Sequence, residues 1–175
     1  MSQIVQQGNK SRVGVIRVHG ADHVIAIADI AAREVILSIE GRSVDVPSRY
    51  TVQIGKDEHI ELPEVVTVEE QKDRYFWMYL NHCCEPSAYL KGKQVIALRN
   101  ICAWEQITFD YCTTEYDMAE PFDCRCGARS CRGWVKGFRH LSPEEQERLR
   151  PSLPDYLSEI LEKTPVAVGS GDANR

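Results

Sequence analysis

Three cysteines stand close together in the run CRCGARSC, at Cys124, Cys126 and Cys131. Zinc takes thiolate donors readily and prefers four ligands in a tetrahedron, so three local cysteines call for a fourth from elsewhere. Gly127 and Gly133 flank the turns that would let the three converge. The candidates for the fourth ligand are Cys83, Cys84, Cys102 and Cys112. Cys102, following Ile101 near a strand end, reads as a small buried hydrophobe, and Cys112 fits either role. A closed thiolate site of this kind supplies folding energy, not chemistry. The groups that could do chemistry lie in NHCCEP, from Asn81 to Pro86, and in ITFDY, from Ile107 to Tyr111. If ITFDY continues as a strand, Phe109 and Tyr111 share a face and Asp110 points the other way, as an anchoring carboxylate. A phenol with a reference pKa of about 10 orients a reactant better than it removes a proton.

The elements that must position these groups are short. Val13 to Val18 and His23 to Ile27 read as two strands around a turn at Gly20-Ala21-Asp22, and Glu34 to Ile39 as a third closed by Gly41. Tyr50 to Ile54, His59 to Leu62, Tyr89 to Leu90, Gln94 to Leu98 and Ile107 to Phe109 continue the series. Glu64 to Tyr79 is ambiguous: Val65, Val66 and Val68 favour a strand, whereas Glu69 to Tyr79 could be a helix. Ser142-Pro143-Glu144-Glu145 is a good helix start, and Asp155 to Glu162 a second short helix beyond Pro151 and Pro154. The pattern predicts several small sheets and no βαβ repeat.

Composition narrows the class. A 175-residue chain with 43% hydrophobic and 27% charged residues fits one globular core with appendages. The net charge of -5 is spread through the chain, and Lys91, Lys93 and Arg99 are too sparse for a basic patch. Direct nucleic-acid binding is therefore not expected. Nor is membrane binding, since no apolar run approaches the roughly 20 residues a bilayer span needs. Asn9, Lys10, Arg12 and Arg17 interrupt the first stretch, and the odd count of seven cysteines argues against a disulfide framework. An intracellular, reduced protein is the expectation. His19, His23, His59 and His140 have no catalytic neighbours in sequence and read as solvent-facing or locally hydrogen-bonded.

Taken in order, these motifs resemble the SET-domain family of protein-lysine methyltransferases, with the post-SET zinc segment of its histone-methylating branch. Asn81-His82-Cys83-Cys84-Glu85-Pro86 is similar to the family's NHSCxPN motif, Trp104 to Tyr111 to GEELTFDY, and Cys124-x-Cys126-x4-Cys131 to the post-SET CxCxxxxC. Val13-Gly14-Val15 resembles the glycine-containing opening strand, and Glu34-Val35-Ile36 the following "gevi" strand. The departures are Ser87 for the motif's second Asn, Trp104 for its usual Gly and Gln106 for its second Glu.

The resemblance implies a mostly β SET fold over residues 12–118, in which the two central motifs cross in a knot-like arrangement. It also implies a zinc-binding post-SET segment over 119–140, followed by a helical extension over 141–163. Residues 164–175 lack any core-forming set and are expected to be disordered. The implied cofactor is S-adenosylmethionine, held by Val13, Gly14, Val15, Asn81, His82 and Tyr111, with Trp134 packing on it when the lid closes. Cys84 becomes the fourth zinc ligand and Cys83, at the motif's Ser position, a bystander. Tyr111 would place the substrate amine, and Phe109, at the family's Phe/Tyr switch, resembles di- or trimethylating members. Tyr50 is a further candidate for the channel wall. The implied partner is a lysine-containing protein, a histone tail among the possibilities, which would put its action in the cytoplasm or the nucleus. Two alternatives stand beside this reading. One is a catalytically inactive SET-like binding module; the other is a thiol redox protein that pairs Cys124, Cys126 and Cys131.

Overall fold

The computed structural model describes residues 4–5 and 12–163, so the expected disorder of 164–175 lies outside the described residues. The strands are β1 (Ile4–Val5), β2 (Val13–Val18), β3 (Ala21–Ala26), β4 (Val35–Ser38), β5 (Arg42–Val44), β6 (Val52–Gly55) and β7 (Glu58–Glu61). After helix α1 (Val68–Asp73) come β8 (Asn81–His82), β9 (Ala88–Lys91), β10 (Gln94–Ala97), β11 (Thr108–Phe109), β12 (Phe122–Asp123) and β13 (Trp134–Val135). Helices α2 (Pro143–Leu149) and α3 (Asp155–Lys163) close the chain. Among the described residues there are three antiparallel sheets, ordered β1-β2-β3, β4-β10-β9 and β5-β7-β6, a two-stranded parallel pair, β11-β8, and a separate ribbon, β12-β13. This is the predicted set of small sheets.

Local chemistry explains most of the boundaries. β2 and β3 are joined by His19-Gly20, both at positive φ (50° and 87°), which suits a tight turn whose twist matches the strands. The ambiguous stretch resolves as helix. Thr67 accepts from the Glu70 amide while Glu70 accepts from the Thr67 amide, and this capping box starts α1 at Val68 instead of letting the valines pair as a strand. Tyr75, Phe76 and Trp77 bury their rings next to it, the last two in a 3-10 turn over Phe76–Tyr79. Ser142 and Glu145 build the same box at α2, with Pro143 at its first position as expected. Val13, Val24, Ile60, Val95, Ile101 and Ile107, all at most 1% exposed, form the centre of the core.

Cys102 and His59 depart from expectation, and Trp104 takes an unusual conformation. Cys102 is exposed, because Ile101 takes the interior position in its bridge to Ile30 and Cys102 opens the turn that follows. Trp104, in that turn, sits at φ 71° and is 61% exposed. The left-handed conformation explains why glycine is usual there, since a Cβ meets the following carbonyl in it. His59 is neither exposed nor locally bonded: it is 5% exposed in β7, and its Nδ1 has no hydrogen-bond partner.

Two measurements follow from these features. Trp104→Gly is expected to stabilise the protein by about 1 kcal/mol, read as a higher urea midpoint, because the strain goes and little packing is lost. Burial lowers the His59 pKa, against the opposing charge of Asp57, so the unfolded chain takes up the proton first. Stability should therefore fall as pH drops below about 6.5 and level off below the depressed folded value. In His59→Leu that part of the pH dependence should disappear from urea denaturation curves.

Candidate active site and metal centre

The parallel pair places Thr108 against Asn81 and Phe109 against His82, so the two central motifs lie side by side. Side chains lock the junction. Ser87, 1% exposed, accepts the Thr108 amide at 3.0 Å, so the serine that replaces the motif's second Asn still anchors the crossing. Asn81 Nδ2 donates to the Asp22 carbonyl at 3.1 Å and to His23 Nδ1 at 3.2 Å. Gln106 Nε2 donates to the same His23 nitrogen at 2.8 Å. Two donors on Nδ1 leave the His23 proton on Nε2, and they explain Gln106: a glutamate there could not donate to that nitrogen.

A cleft of about 640 Å³ opens at this junction. Asn81, His82, Phe109, Tyr111 and Tyr50 line it, with His23, Glu115, Met118 and Phe122. Phe109 and Tyr111 share a face as the alternation predicts, their ring centroids 4.8 Å apart, and His82 and Phe122 meet the phenol edge-on at 5.3 and 6.0 Å. The Tyr111 hydroxyl donates to the Leu80 carbonyl at 2.8 Å, and its backbone N–H donates to His82 Nδ1 at 3.1 Å. Burial, helped by the nearby Glu115 charge, pushes the phenol up to about 12, against the lowering influence of the His82 backbone amide. Tyr111 is therefore a phenol at neutral pH, a donor and not a base.

The other face of the same segment builds the second centre. Asp110, 1% exposed, caps the turn Tyr111–Thr113 by accepting the Cys112 amide at 3.0 Å. Its second oxygen lies 2.7 Å from the Arg132 guanidinium, whose side chain is only 8% exposed. His82, with Nδ1 taken, presents Nε2 to Cys84 Sγ at 3.2 Å. Cys84, Cys124, Cys126 and Cys131 bring their sulfurs within 4.8 Å of one another. Cys83 and Cys112 stand outside that group, and all seven cysteines are free thiols, not disulfides.

The thiol set fits zinc. Burial pushes Cys84 up to about 11 and raises Cys124. Burial works to raise Cys126 too, but the amides of Cys84 and Ala128 and the thiols of Cys124 and Cys131 donate to its sulfur and pull it down to about 6. Thiols packed this closely share protons unequally, and a divalent cation that accepts four thiolates removes the conflict. The Arg132 amide and His82 supply hydrogen bonds to Cys84, as outer partners of such a ligand do.

Not every residue expected at the site lines the cleft. Val13, Gly14 and Val15 sit inside β2, buried in the core, and do not line the cleft; an added Cβ at Gly14 would meet Ile27 at 3.3 Å. His23, on the opposite strand of that hairpin, takes the cleft position instead. Trp134, in β13, is 45% exposed and outside the cleft lining. Tyr50 is at the mouth, 62% exposed. The side-chain nitrogens of Asn81 and His82 are engaged within the protein, so these residues face the cleft as its wall.

Among known protein families, the SET domain matches residues 22–112, just over half of the chain. The chain belongs to the SET-domain family. The match includes His23 and both crossing motifs. A histone-lysine N-methyltransferase, H3 lysine-4 specific, of Kluyveromyces lactis is 33% identical over 126 residues, covering 63% of this chain and 13% of that protein. Its namesake in Saccharomyces cerevisiae is 30% identical over 150 residues, covering 75% of this chain and 14% of that protein. The SET chain thus spans about one seventh of the length of these relatives. A crystal structure of KRYPTONITE in complex with mCHH DNA, H3(1-15) peptide and SAH has the same fold, with a TM-score of 0.54 at 20% identity over 75% of this chain and 31% of that one.

Arg132 carries the prediction here. Arg132→Ala strands the Asp110 carboxylate in the interior, and removing one partner of a buried pair costs about 3–5 kcal/mol. Chemical denaturation should show that loss, and zinc should leave the variant at lower chelator concentration. Stability equal to wild type would mean the pair holds nothing.

Proposed function

We propose that this SET domain transfers methyl groups from S-adenosylmethionine to the side-chain amine of lysine in a protein substrate. The observation that carries the reading is the Tyr111 phenol, held by Leu80 and His82 in the cleft where the two motifs cross. The cleft's size and its mix of aromatic rings and few polar groups suit a cofactor and a slender side chain together. S-adenosylmethionine, when bound, supplies a methyl on a sulfonium leaving group. Asn81, His82 and Tyr111 are the residues assigned to its wall, with His23 added from the geometry; Cys84, Cys124, Cys126 and Cys131 are assigned to zinc, which would pin the lid.

The chain's own part is orientation. A lysine ammonium has a reference pKa of about 10.4 and must lose a proton before it can attack. Phe109, Phe122 and Tyr111 form apolar walls that favour the neutral amine by desolvation. The protonated phenol of Tyr111 then fixes the direction of the amine, and most of the acceleration comes from alignment in a site shielded from water. Phe109, 4% exposed beside Tyr111, carries no hydroxyl to hold a crowding water, which favours di- or trimethylation. The relatives' H3 lysine-4 specificity and the H3 peptide in the KRYPTONITE complex support a histone tail as substrate, with action in the nucleus.

Core histones incubated with the protein and methyl-labelled S-adenosylmethionine should become labelled on lysine. Tyr111→Phe should lower that rate by about 10²–10³ while still binding S-adenosylhomocysteine. Equal labelling by both proteins would remove Tyr111 from the reaction. Cofactor binding with no labelling of histones or lysate proteins would leave a binding module.

A further inference from the structure

One buried acid in the cleft has no task in the reaction as described. Glu115 follows the turn that carries Tyr111, and its N–H donates to the Tyr111 carbonyl at 2.8 Å. The residue is 8% exposed and lines the cleft. Oε1 accepts the Gln53 amide from β6 at 2.9 Å and the Thr114 hydroxyl at 3.4 Å. Oε2 has no donor among the described residues, and the carboxyl forms no ion pair among them. The residue's small exposure is to the cleft, so this oxygen is open to a partner that arrives from outside.

The surroundings say what charge that partner carries. The turn contributes Tyr111 and α3 contributes Tyr156, whose hydroxyl is occupied by the carbonyls of Thr114 and Gln53 at 2.5 and 3.2 Å. β6 presents uncharged Gln53, and the Phe138–His140 turn only the Phe138 amide, on the Glu115 carbonyl. The charged groups of the cleft lie at its mouth: Arg49 and Glu120 pair with each other at 3.5 Å and are about 60% exposed, and Arg125 is exposed. His23 and His82 each have Nδ1 already accepting a hydrogen bond. Glu115 is thus the buried carboxyl of the cleft that no described cation neutralises, beside the residue that places the amine. Burial pushes it up to about 7, against the bonds from Gln53 and Thr114.

We propose that Glu115 is the substrate-binding carboxylate of this cleft, its Oε2 receiving the incoming alkylammonium and taking one of its protons. In the step, an N–H bond of the ammonium breaks, the nitrogen keeps the electron pair, and an O–H bond forms on Oε2. In water the amine would hold the proton more tightly. In a desolvated site both charged forms are disfavoured, so the pair collapses toward neutral amine and neutral acid. The acid later returns its proton to water through the open cleft. The inference rests on the methyltransferase reading for its substrate, but the cation site can be tested without turnover.

The test uses the full zinc-loaded chain and the conservative variant Glu115→Gln, which keeps an oxygen for the Gln53 amide. Carbon NMR of glutamate-labelled protein, with n-pentylammonium as probe, should show the Glu115 carboxyl titrating near pH 7 and its resonance and titration curve displaced as the probe binds. The variant identifies the resonance by its loss. With the H3(1-15) peptide as substrate, the variant should lose at least about a hundredfold in kcat/KM. The acid limb of the pH profile near 7 should vanish with it, while calorimetric affinity for S-adenosylhomocysteine is retained. A clamp role alone would move stability but neither the pH limb nor the probe response. A resonance unmoved by the probe, or a variant with wild-type kcat/KM and pH profile, overturns the inference and leaves the proposed function standing. A wild type that binds cofactor and never methylates overturns the proposed function, and the probe titration still decides whether Glu115 binds the cation.

Discussion

Two residues of parallel strand on either side, Asn81–His82 against Thr108–Phe109, hold the chemistry of this molecule in one place. So short a ladder is too weak to stand alone, since even an isolated hairpin is marginal in water. It is reinforced at each end by hydrogen bonds from neighbouring groups. Ser87 takes the Thr108 amide, the Cys83 amide donates to the Phe109 carbonyl at 3.1 Å, and His82 takes the Tyr111 amide. The backbone amides of Thr108, Cys83 and Tyr111 are thereby paired at the crossing, and the phenol is positioned by the same bonds.

The alternation of β11 into the following turn then divides two tasks between neighbours. Phe109 and Tyr111 face the cleft; Asp110 faces the thiols and the Arg132 guanidinium. His82 touches both sides, through the Tyr111 amide and the Cys84 sulfur. The cysteine segment is tied to the cleft wall by a buried ion pair and by Cys84, and Glu145 of α2 extends the tie, 3.4 Å from the same guanidinium. Beyond it Gly137 adopts φ 109°, and a Cβ there would meet the Tyr116 carbonyl at 2.8 Å, so the chain can pass this close only as glycine. The C-terminal helices complete the arrangement: the Tyr156 hydroxyl of α3 donates to the Thr114 carbonyl at the end of the turn that carries Tyr111.

The sequence disclosed what is written in periodicity, spacing and caps. Alternation foretold the shared face of Phe109 and Tyr111 and the opposed Asp110; Ser142 and Pro143 foretold α2. Cysteine spacing alone left four candidates for the fourth ligand, and the family resemblance selected Cys84, which the sulfur geometry agrees with. β8, β12 and β13 were not legible, because two-residue strands carry no period. His23, Gln106 and Glu115 were missed for a related reason: each owes its role to partners 58 or more residues away, which no local pattern reveals. One signal was available for His23: it stands in the hairpin to which the resemblance of Val13-Gly14-Val15 already pointed. The misplaced Cys102 and His59 show the limit of residue-type averages, since a turn exposed the first and a sheet covered the second.

Photocrosslinking with methyl-labelled S-adenosylmethionine, followed by peptide mapping of the label, tests the central claim most directly. The account predicts that the label falls on peptides from the crossing and the lid, containing Asn81, His82, Tyr111 or Phe122. Label concentrated elsewhere, as on the peptides around Lys56 and Tyr156 that line a second hollow, would contradict it.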